Sequence, residues 1–434
     1  LDQKPSSVKK EGNYNFSNQA CLVNVEIISI GDELLKGRIV NTNAAFLSRH
    51  LQQKGYGVSR QTTLSNQAGM LAAGLKEALC RGDLVVSTGG LGPTLDDRTR
   101  EIVAELFHCG FHFDQKLADE LKRRYGDRYH AVEDQARIPA KAALLHNHVG
   151  PAPGLFFSEE GKTLILMPGV PKEMEPMFLE QVLPCLDKMW PMKEKKNLAQ
   201  LHFCLVYERL LDPHLRELAS RYPTVEVGIY PAHGTLCVSL LSSSAQELAS
   251  FQKELSQRFG NYIYSAPSGK IEEALFSWFV KHKKKVAFAE SCTGGAIASH
   301  LTSIPGASDY FLGSFVVYCN AMKEEILGVS RQTLLSKGAV SEESVREMLA
   351  GVFNRSSTDY AIAVSGIAGP TGGSVEKPVG TIWAAIGERG KSPDVGRFMG
   401  YGSRETIILM ATNFLLSALW RKVEKGIPAF PLIL

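Results

Sequence analysis

From Val23 onward the chain alternates short β-branched apolar runs with stretches whose apolar positions recur at helical spacing. Val23 to Ile30 reads as a strand, Thr42 to Lys54 as a helix, Tyr56 to Thr63 as a strand and Gln67 to Cys80 as a helix. Asp83 to Ser87 is a buried-type strand that empties into a glycine turn. A helix from Asp97 to Phe107 follows, then a more polar helical stretch through Arg128, a strand from Lys162 to Met167 that stops at Pro168-Gly169, and a helix from Pro171 to about Trp190. This order is that of a parallel α/β sheet.

Pro191 to Asn197 carries Lys193, Lys195 and Lys196 and only Met192 among apolar residues, which marks a linker. Between it and Ser265 lie strands at Leu201 to Tyr207, Thr224 to Tyr230 and Thr235 to Leu241, with helices at Asp212 to Ser220 and Ala245 to Phe259. Alternation then resumes. A helix from Lys270 to Lys281, a strand Val286 to Ala289, a helix Gly294 to Thr302, a strand Phe311 to Tyr318 and a helix Ala321 to Leu327 lead into a helix Ser341 to Phe353. Strands Tyr360 to Val364 and Gly380 to Ile386 and a terminal helix from Arg404 to Val423 complete the pattern. The expected organisation is a tail over 1–21, an α/β domain over 22–190, a small α+β domain over 191–265 and a second α/β domain over 266–434.

Composition excludes several classes. The 434 residues are 44% hydrophobic and 21% charged, an ordinary globular mixture. Net charge is +3, and the densest basic run, Lys281 to Lys285, reads as a solvated helix end that complements the dipole, so no nucleic-acid footprint is expected. The cysteines at 21, 80, 109, 185, 204, 237, 292 and 319 form no C-x-x-C pair, which argues against a zinc site or a disulfide framework. Leu1 to Asn18 lacks the apolar core of a signal peptide, and the most apolar helical stretch, Ile407 to Trp420, is short and interrupted by Thr412, Asn413 and Ser417. A cytoplasmic address without a membrane span is expected.

The sharpest candidate chemistry lies in Ala289-Glu290-Ser291-Cys292-Thr293-Gly294-Gly295, where a strand turns into a helix. A serine there meets helix-start amides able to hold an oxyanion or a phosphate; alternatively Ser291 or Thr293 only caps the helix. Serine needs a base, and a neutral lysine serves in place of histidine. Lys323 stands in the first turn of the helix after Tyr318, where the positive helix end disfavours an ammonium; taken alone, it reads first as a solvent-exposed lysine. The glycine-rich loop Ser365 to Ser374 follows a strand, which is where α/β folds bind ligands, or it is a tight turn.

These elements together resemble the C-terminal domain of the CinA family, the amidohydrolase domain also found alone as nicotinamide mononucleotide deamidase. The resemblance runs from Lys270 to Leu419 and rests on A-E-S-C-T-G-G, Tyr318-x-Asn320-x-x-Lys323, Gly338 to Glu342, S-G-I-A-G-P-x-G-G from Ser365, and Lys377 to Thr381. It implies Ser291 as nucleophile, Lys323 as general base, Tyr318 assisting and Ser365 near the carboxamide. Substrate contacts are then expected from Thr293, Gly294, Gly295, Asn320, Gly366, Gly369, Gly372 and Gly373, with Arg404 and the Gly366 to Ser374 loop on the phosphate. A second family arginine is replaced by Ile408, Cys319 replaces a serine or threonine, and Ala321-Met322 replaces Glu-Ala.

The first α/β region resembles the other half of that family, whose fold is shared with molybdopterin-binding proteins. Its motifs are Gly31-Asp32-Glu33-Leu34-Leu35-x-Gly37, Asn41-Thr42-Asn43, Thr88 to Thr99, Ala152-Pro153-Gly154 and Pro168 to Met174. Gly89, Gly90, Gly92 and Thr94 lie in a strand-terminal loop suited to phosphate. Asp96 and Asp97 either hold a divalent cation with Glu33 or cap the following helix. Ser65-Asn66-Gln67 stands where the family has acidic residues, and Leu205 to Arg209 keeps only Glu208 of a G-x-x-E-S pattern.

The resulting expectation is an α/β protein with a molybdopterin-binding-like N-terminal domain, a small α+β middle domain and a C-terminal amidohydrolase domain. That last domain would convert nicotinamide mononucleotide to nicotinic acid mononucleotide and ammonia, without a cofactor and as a homodimer. The rival expectations are a metal-dependent ADP-ribose pyrophosphatase in the N-terminal domain and a non-catalytic nucleotide or pterin sensor tied to competence or DNA damage.

Overall fold

The computed structural model describes residues 23–94, 97–126, 129–191 and 197–430. The expected tail, Arg128, and most of the expected linker lie outside them. The chain divides into two compact units, Leu1–Lys195 and Lys196–Leu434.

In the first unit the strands are β1 (Val25–Ile30), β2 (Val58–Leu64), β3 (Leu84–Thr88), β4 (Phe111–Phe113), β5 (Arg137–Pro139), β6 (Ala143–Leu145), β7 (Gly154–Glu159) and β8 (Lys162–Met167). The helices are α1 (Asp32–Leu35), α2 (Thr42–Gln53), α3 (Ala68–Arg81), α4 (Thr99–Leu106), α5 (Gln115–Tyr125), α6 (Val132–Gln135), α7 (Pro171–Met177) and α8 (Leu183–Met189). The main sheet has the order β2-β1-β3-β8-β7-β6.

Every residue of β1 is buried, because β2 and β3 flank it and helices cover both faces. Ile28 packs with Leu75 and Val85 on one side, and Ile27 with Leu47, Val86 and Met174 on the other. Glu26, buried in this run, is matched by Arg81 at 2.9 Å and the Thr62 hydroxyl at 3.0 Å. The sheet is not wholly parallel as expected. Glu160 and Gly161, with φ of 50° and 79°, form a two-residue hairpin turn that lays β7 antiparallel to β8.

The second unit begins with β9 (Asn197–Cys204), α9 (Glu208–Arg221), β10 (Val225–Ala232), β11 (Thr235–Ser242), α10 (Ala245–Phe259) and β12 (Ile263–Tyr264). The order β10-β11-β9-β12, antiparallel throughout, is the ferredoxin-like β-α-β-β-α-β arrangement. Leu211, Leu215, Phe251 and Leu255 of the helices cover one face of this sheet with Phe203, Val238 and Leu240. The opposite face contributes Cys204 and Tyr264 to a core shared with the elements that follow.

Those elements are α11 (Ile271–His282), β13 (Val286–Glu290), α12 (Ala296–Thr302), β14 (Phe311–Val316), α13 (Asn320–Leu327), α14 (Arg331–Ser336), α15 (Glu342–Arg355), β15 (Tyr360–Gly366), β16 (Thr381–Glu388), β17 (Asp394–Met399) and α16 (Arg404–Lys425). Their sheet runs β14-β13-β15-β16-β17, with the first three strands parallel and the last two antiparallel. Periodicity did not foresee β17, a half-exposed edge strand, or α14, which has little more than one turn and a single buried residue, Leu334.

The 22-residue α16 is longer than its apolar stretch suggested and passes a length and hydropathy test for crossing a membrane. Here it is a core helix: Ile407, Ala411, Leu415, Leu416 and Leu419 pack against β15, β16 and α11 residues.

Candidate active site

Strand β13 sits between β14 and β15, so its C-terminal residue Glu290 pairs with Val316 on one side and Val364 on the other. The chain then leaves the sheet through Ser291, whose N–H still donates to the Val364 carbonyl at 3.1 Å. Gly294 and Gly295, at φ of 62° and 99°, reverse the backbone into α12; a Cβ-bearing residue is strained at both.

Lys323 is not the exposed lysine that its position alone allowed. Its side chain is 1% exposed. Nζ lies 2.9 Å from Ser291 Oγ, 2.8 Å from the Val317 carbonyl and 3.2 Å from the Tyr318 carbonyl. Burial, which penalises the ammonium, lowers the Lys323 pKa; the nearby Cys319 and Cys292 thiols act in the opposite sense. The helix-end argument therefore pointed the right way, but desolvation is the dominant cause. Carbonyl oxygens only accept, so a neutral amine gives its two N–H bonds to Val317 and Tyr318 and leaves its lone pair for the Ser291 hydroxyl. Cys292 does not compete as nucleophile, because burial pushes its thiol up to about 12.

Glu290 is the residue that sequence reasoning missed. Its carboxylate is fully buried and accepts from the Thr293 hydroxyl (2.8 Å), the N–H groups of Gly295, Ile297 and Ala298 (3.0 Å each) and the Ser314 hydroxyl (2.9 Å). The signal was an acid on the last residue of an apolar strand, immediately before a helix start.

Two expectations change in consequence. Thr293 does not cap α12 or face open solvent; its hydroxyl serves Glu290. The Gly295 amide also serves Glu290, and that of Gly294 closes a turn on the Ser291 carbonyl at 3.1 Å, so neither is available to an oxyanion. Among the described residues, the N–H groups of Cys292 and Thr293 have no acceptor on another residue, so these are the free amides of this turn.

Arg404, expected on a phosphate, bridges two protein groups: it donates to the Gly369 carbonyl and to the Tyr318 hydroxyl, each at 2.7 Å. Tyr318 is exposed, and its hydroxyl meets Arg404 and not Ser291 or Lys323. Ser365 is buried one residue beyond Val364. The loop that follows is pinned by Ile367 N–H to the Thr381 carbonyl and Ser374 N–H to the Lys377 carbonyl. Gly366 passes over Cys292, where a Cβ would come within 3.0 Å of the sulfur. Gly369 and Gly372 adopt positive φ, and a Cβ at Gly373 would meet the Val379 amide at 2.7 Å. Asn320 is exposed at the start of α13.

The N-terminal candidates gather at the C-terminal ends of β1, β3 and β8. Gly89 donates its N–H to the Met167 carbonyl at 2.9 Å, and a Cβ at Gly90 would lie 2.1 Å from Thr99 Oγ1, so this turn is built for close packing. Asp97 accepts from Thr94 Oγ1 at 2.5 Å and lies against Gly92; it closes that loop and does not cap α4, which starts at Thr99. Asp96 lies outside the described residues. Glu33 is exposed and folds back over Gly31. Among the described residues no three His, Cys, Asp or Glu side chains converge as metal ligands. Ser65 and Asn66, which replace family acids, donate to Asp32. Asn43, a motif residue given no role from the sequence, donates to the Gly169 carbonyl at 2.7 Å and leaves a buried, unpartnered Oδ1.

Fold and site define an α/β protein that carries a buried serine–lysine pair at a strand-to-helix turn. Residues 268–423 match the CinA C-terminal domain, and residues 26–188 match the probable molybdopterin binding domain. A competence-damage inducible protein of Caldicellulosiruptor bescii is 37% identical over 409 residues, covering 92% of this chain and 98% of that one. A CinA-like protein of Thermotoga neapolitana is 36% identical over 409 residues with the same coverage. The solved structure of CinA from Thermoplasma acidophilum is 39% identical, covers 38% of this chain and 96% of its own, and has a TM-score of 0.35. The chain belongs to the CinA family.

Proposed function

We propose that the second unit hydrolyses the carboxamide of nicotinamide mononucleotide to nicotinic acid mononucleotide and ammonia. The observation that supports this reading is the 2.9 Å contact between Lys323 Nζ and Ser291 Oγ, with both groups buried and the amine's remaining donors directed at two carbonyls. Ser291 Oγ attacks the carboxamide carbon while Lys323 takes the hydroxyl proton. The Cys292 and Thr293 amides hold the oxyanion, in place of the glycine amides expected from the sequence. Lys323 returns the proton to the departing nitrogen and ammonia leaves. Water, activated by the same amine, then releases the acid from the serine ester. No step needs a metal ion.

The test is ammonia release from nicotinamide mononucleotide with EDTA present, for the intact chain, Ser291→Ala and Lys323→Ala. Release by the intact chain that is lost in both variants supports the proposal. No release by the intact chain overturns it.

A further inference from the structure

On the open face of the ferredoxin-like sheet, register places Tyr230, Cys237, His202 and Tyr264 in one row across four strands. The C-terminal half of α16 covers part of that face, with Trp420 set edge-on against Tyr264 at 5.9 Å between ring centres. Beside this contact a cleft of about 720 Å³ opens between the sheet, α11 and the end of α16. Its volume is in the range of small-ligand sites. It lies at the other end of the sheet from Ser291: its Trp278 packs against Tyr360, which pairs with Val286 at the start of β13, whereas Ser291 follows the last residue of that strand.

The walls combine aromatic rings with polar groups that make no hydrogen bond or ion pair to protein among the described residues. Trp278 is half-buried and offers its ring to the cleft, while Tyr264 and Trp420, 4% and 3% exposed, are packed into the wall. Gln200, His202, Lys281, Glu424 and Lys425 also line the cleft, and none of these five side chains has a hydrogen bond or ion pair to protein among the described residues. Lys425 Nζ sits 5.0 Å from the centre of the Trp420 ring, a cation–π contact with the cleft wall. Burial lowers the His202 pKa, so at neutral pH the ring offers one donor and one acceptor.

The basic run that includes Lys281 is not the uniform solvated face that its composition suggested. Lys284 pairs with Asp359 at 2.9 Å and Lys285 donates to the Asp309 carbonyl, while Lys281 is left at the cleft. Two ammonium groups against the single Glu424 carboxylate favour an anion, the half-buried Trp278 ring favours a planar group, and the imidazole and amide read a hydrogen-bonding edge.

We propose that this cleft is a second ligand site, separate from the serine–lysine pair, for a small molecule that joins a planar heterocycle to a phosphate, the chemistry of a nucleoside monophosphate. The proposal stands independently of the amidase reading.

The experiment is equilibrium dialysis of the full chain against AMP and UMP, with adenosine and inorganic phosphate as probes of the ring alone and the anion alone. Saturable binding of a nucleotide, about tenfold or more weaker in the Lys281→Ala/Lys425→Ala variant, is the expected result. Either half alone should bind more weakly than the whole. Lys281 is exposed and Lys425 partly so, and circular dichroism of the double variant checks that its fold is retained. Absence of saturable binding for both nucleotides, or binding unchanged in the double variant, overturns the proposal.

Discussion

Replacing Glu290 by glutamine tests whether one buried carboxylate organises the nucleophile turn. The glutamine carbonyl can take the place of Oε2 and keep the bonds from Thr293, Gly295 and Ile297. Its amide nitrogen then replaces Oε1, where the carboxylate accepts from Ala298 N–H and the Ser314 hydroxyl. The hydroxyl can rotate and accept instead. The Ala298 amide cannot, and an orphaned buried N–H costs about 1–3 kcal/mol. The three retained bonds lose their charge assistance, and at roughly half their former strength they add a further loss of about 2 kcal/mol. The variant should therefore lose about 3–5 kcal/mol from the second unit.

Urea unfolding followed by tryptophan fluorescence in a Trp190→Phe background measures this, because the remaining indoles, Trp278, Trp383 and Trp420, lie in the second unit. Ammonia release measured in parallel should fall with the displaced turn. A stability change below about 1 kcal/mol would refute the reasoning, since it would mean that the five bonds are replaced by water at little cost.

Three further outcomes follow from the same geometry. Because burial depresses the Lys323 pKa, the rate of ammonia release should rise with pH through an inflection below the ordinary lysine value of 10.5, and Lys323→Arg, which stays protonated, should be inactive at every pH. In the same window the unfolded chain binds more protons than the folded one, so stability should increase with pH; Lys323→Met should abolish that slope in urea midpoints compared at about pH 7 and pH 9. Arg404→Ala releases both the Gly369 carbonyl and the Tyr318 hydroxyl, and Tyr318→Phe releases only one of them, so KM for the amide substrate should rise in both, more in the arginine variant, with a smaller change in kcat. Equal kcat losses with unchanged KM would instead place these residues in the chemical step.

The linear chain determined the alternation of strands and helices, the turn that presents Ser291, and the family, because periodicity and glycine-rich motifs are local properties. Tertiary structure decided the rest. Whether Lys323 is exposed or desolvated depends on the carbonyls of Val317 and Tyr318 and on a serine 32 residues away, none of which a helical pattern encodes. Glu290 reads in sequence as an acid beside a helix, yet its five donors come from the turn, α12 and β14 and remove two expected contacts from the substrate side. Arg404 offered a charge to a phosphate until the fold supplied Gly369 and Tyr318 as acceptors. The direction of β7 followed from a hairpin, and the apolar character of α16 from its place in the core. In each case the deciding quantity is desolvation or the identity of a hydrogen-bond partner, and both are set by residues that only folding brings together.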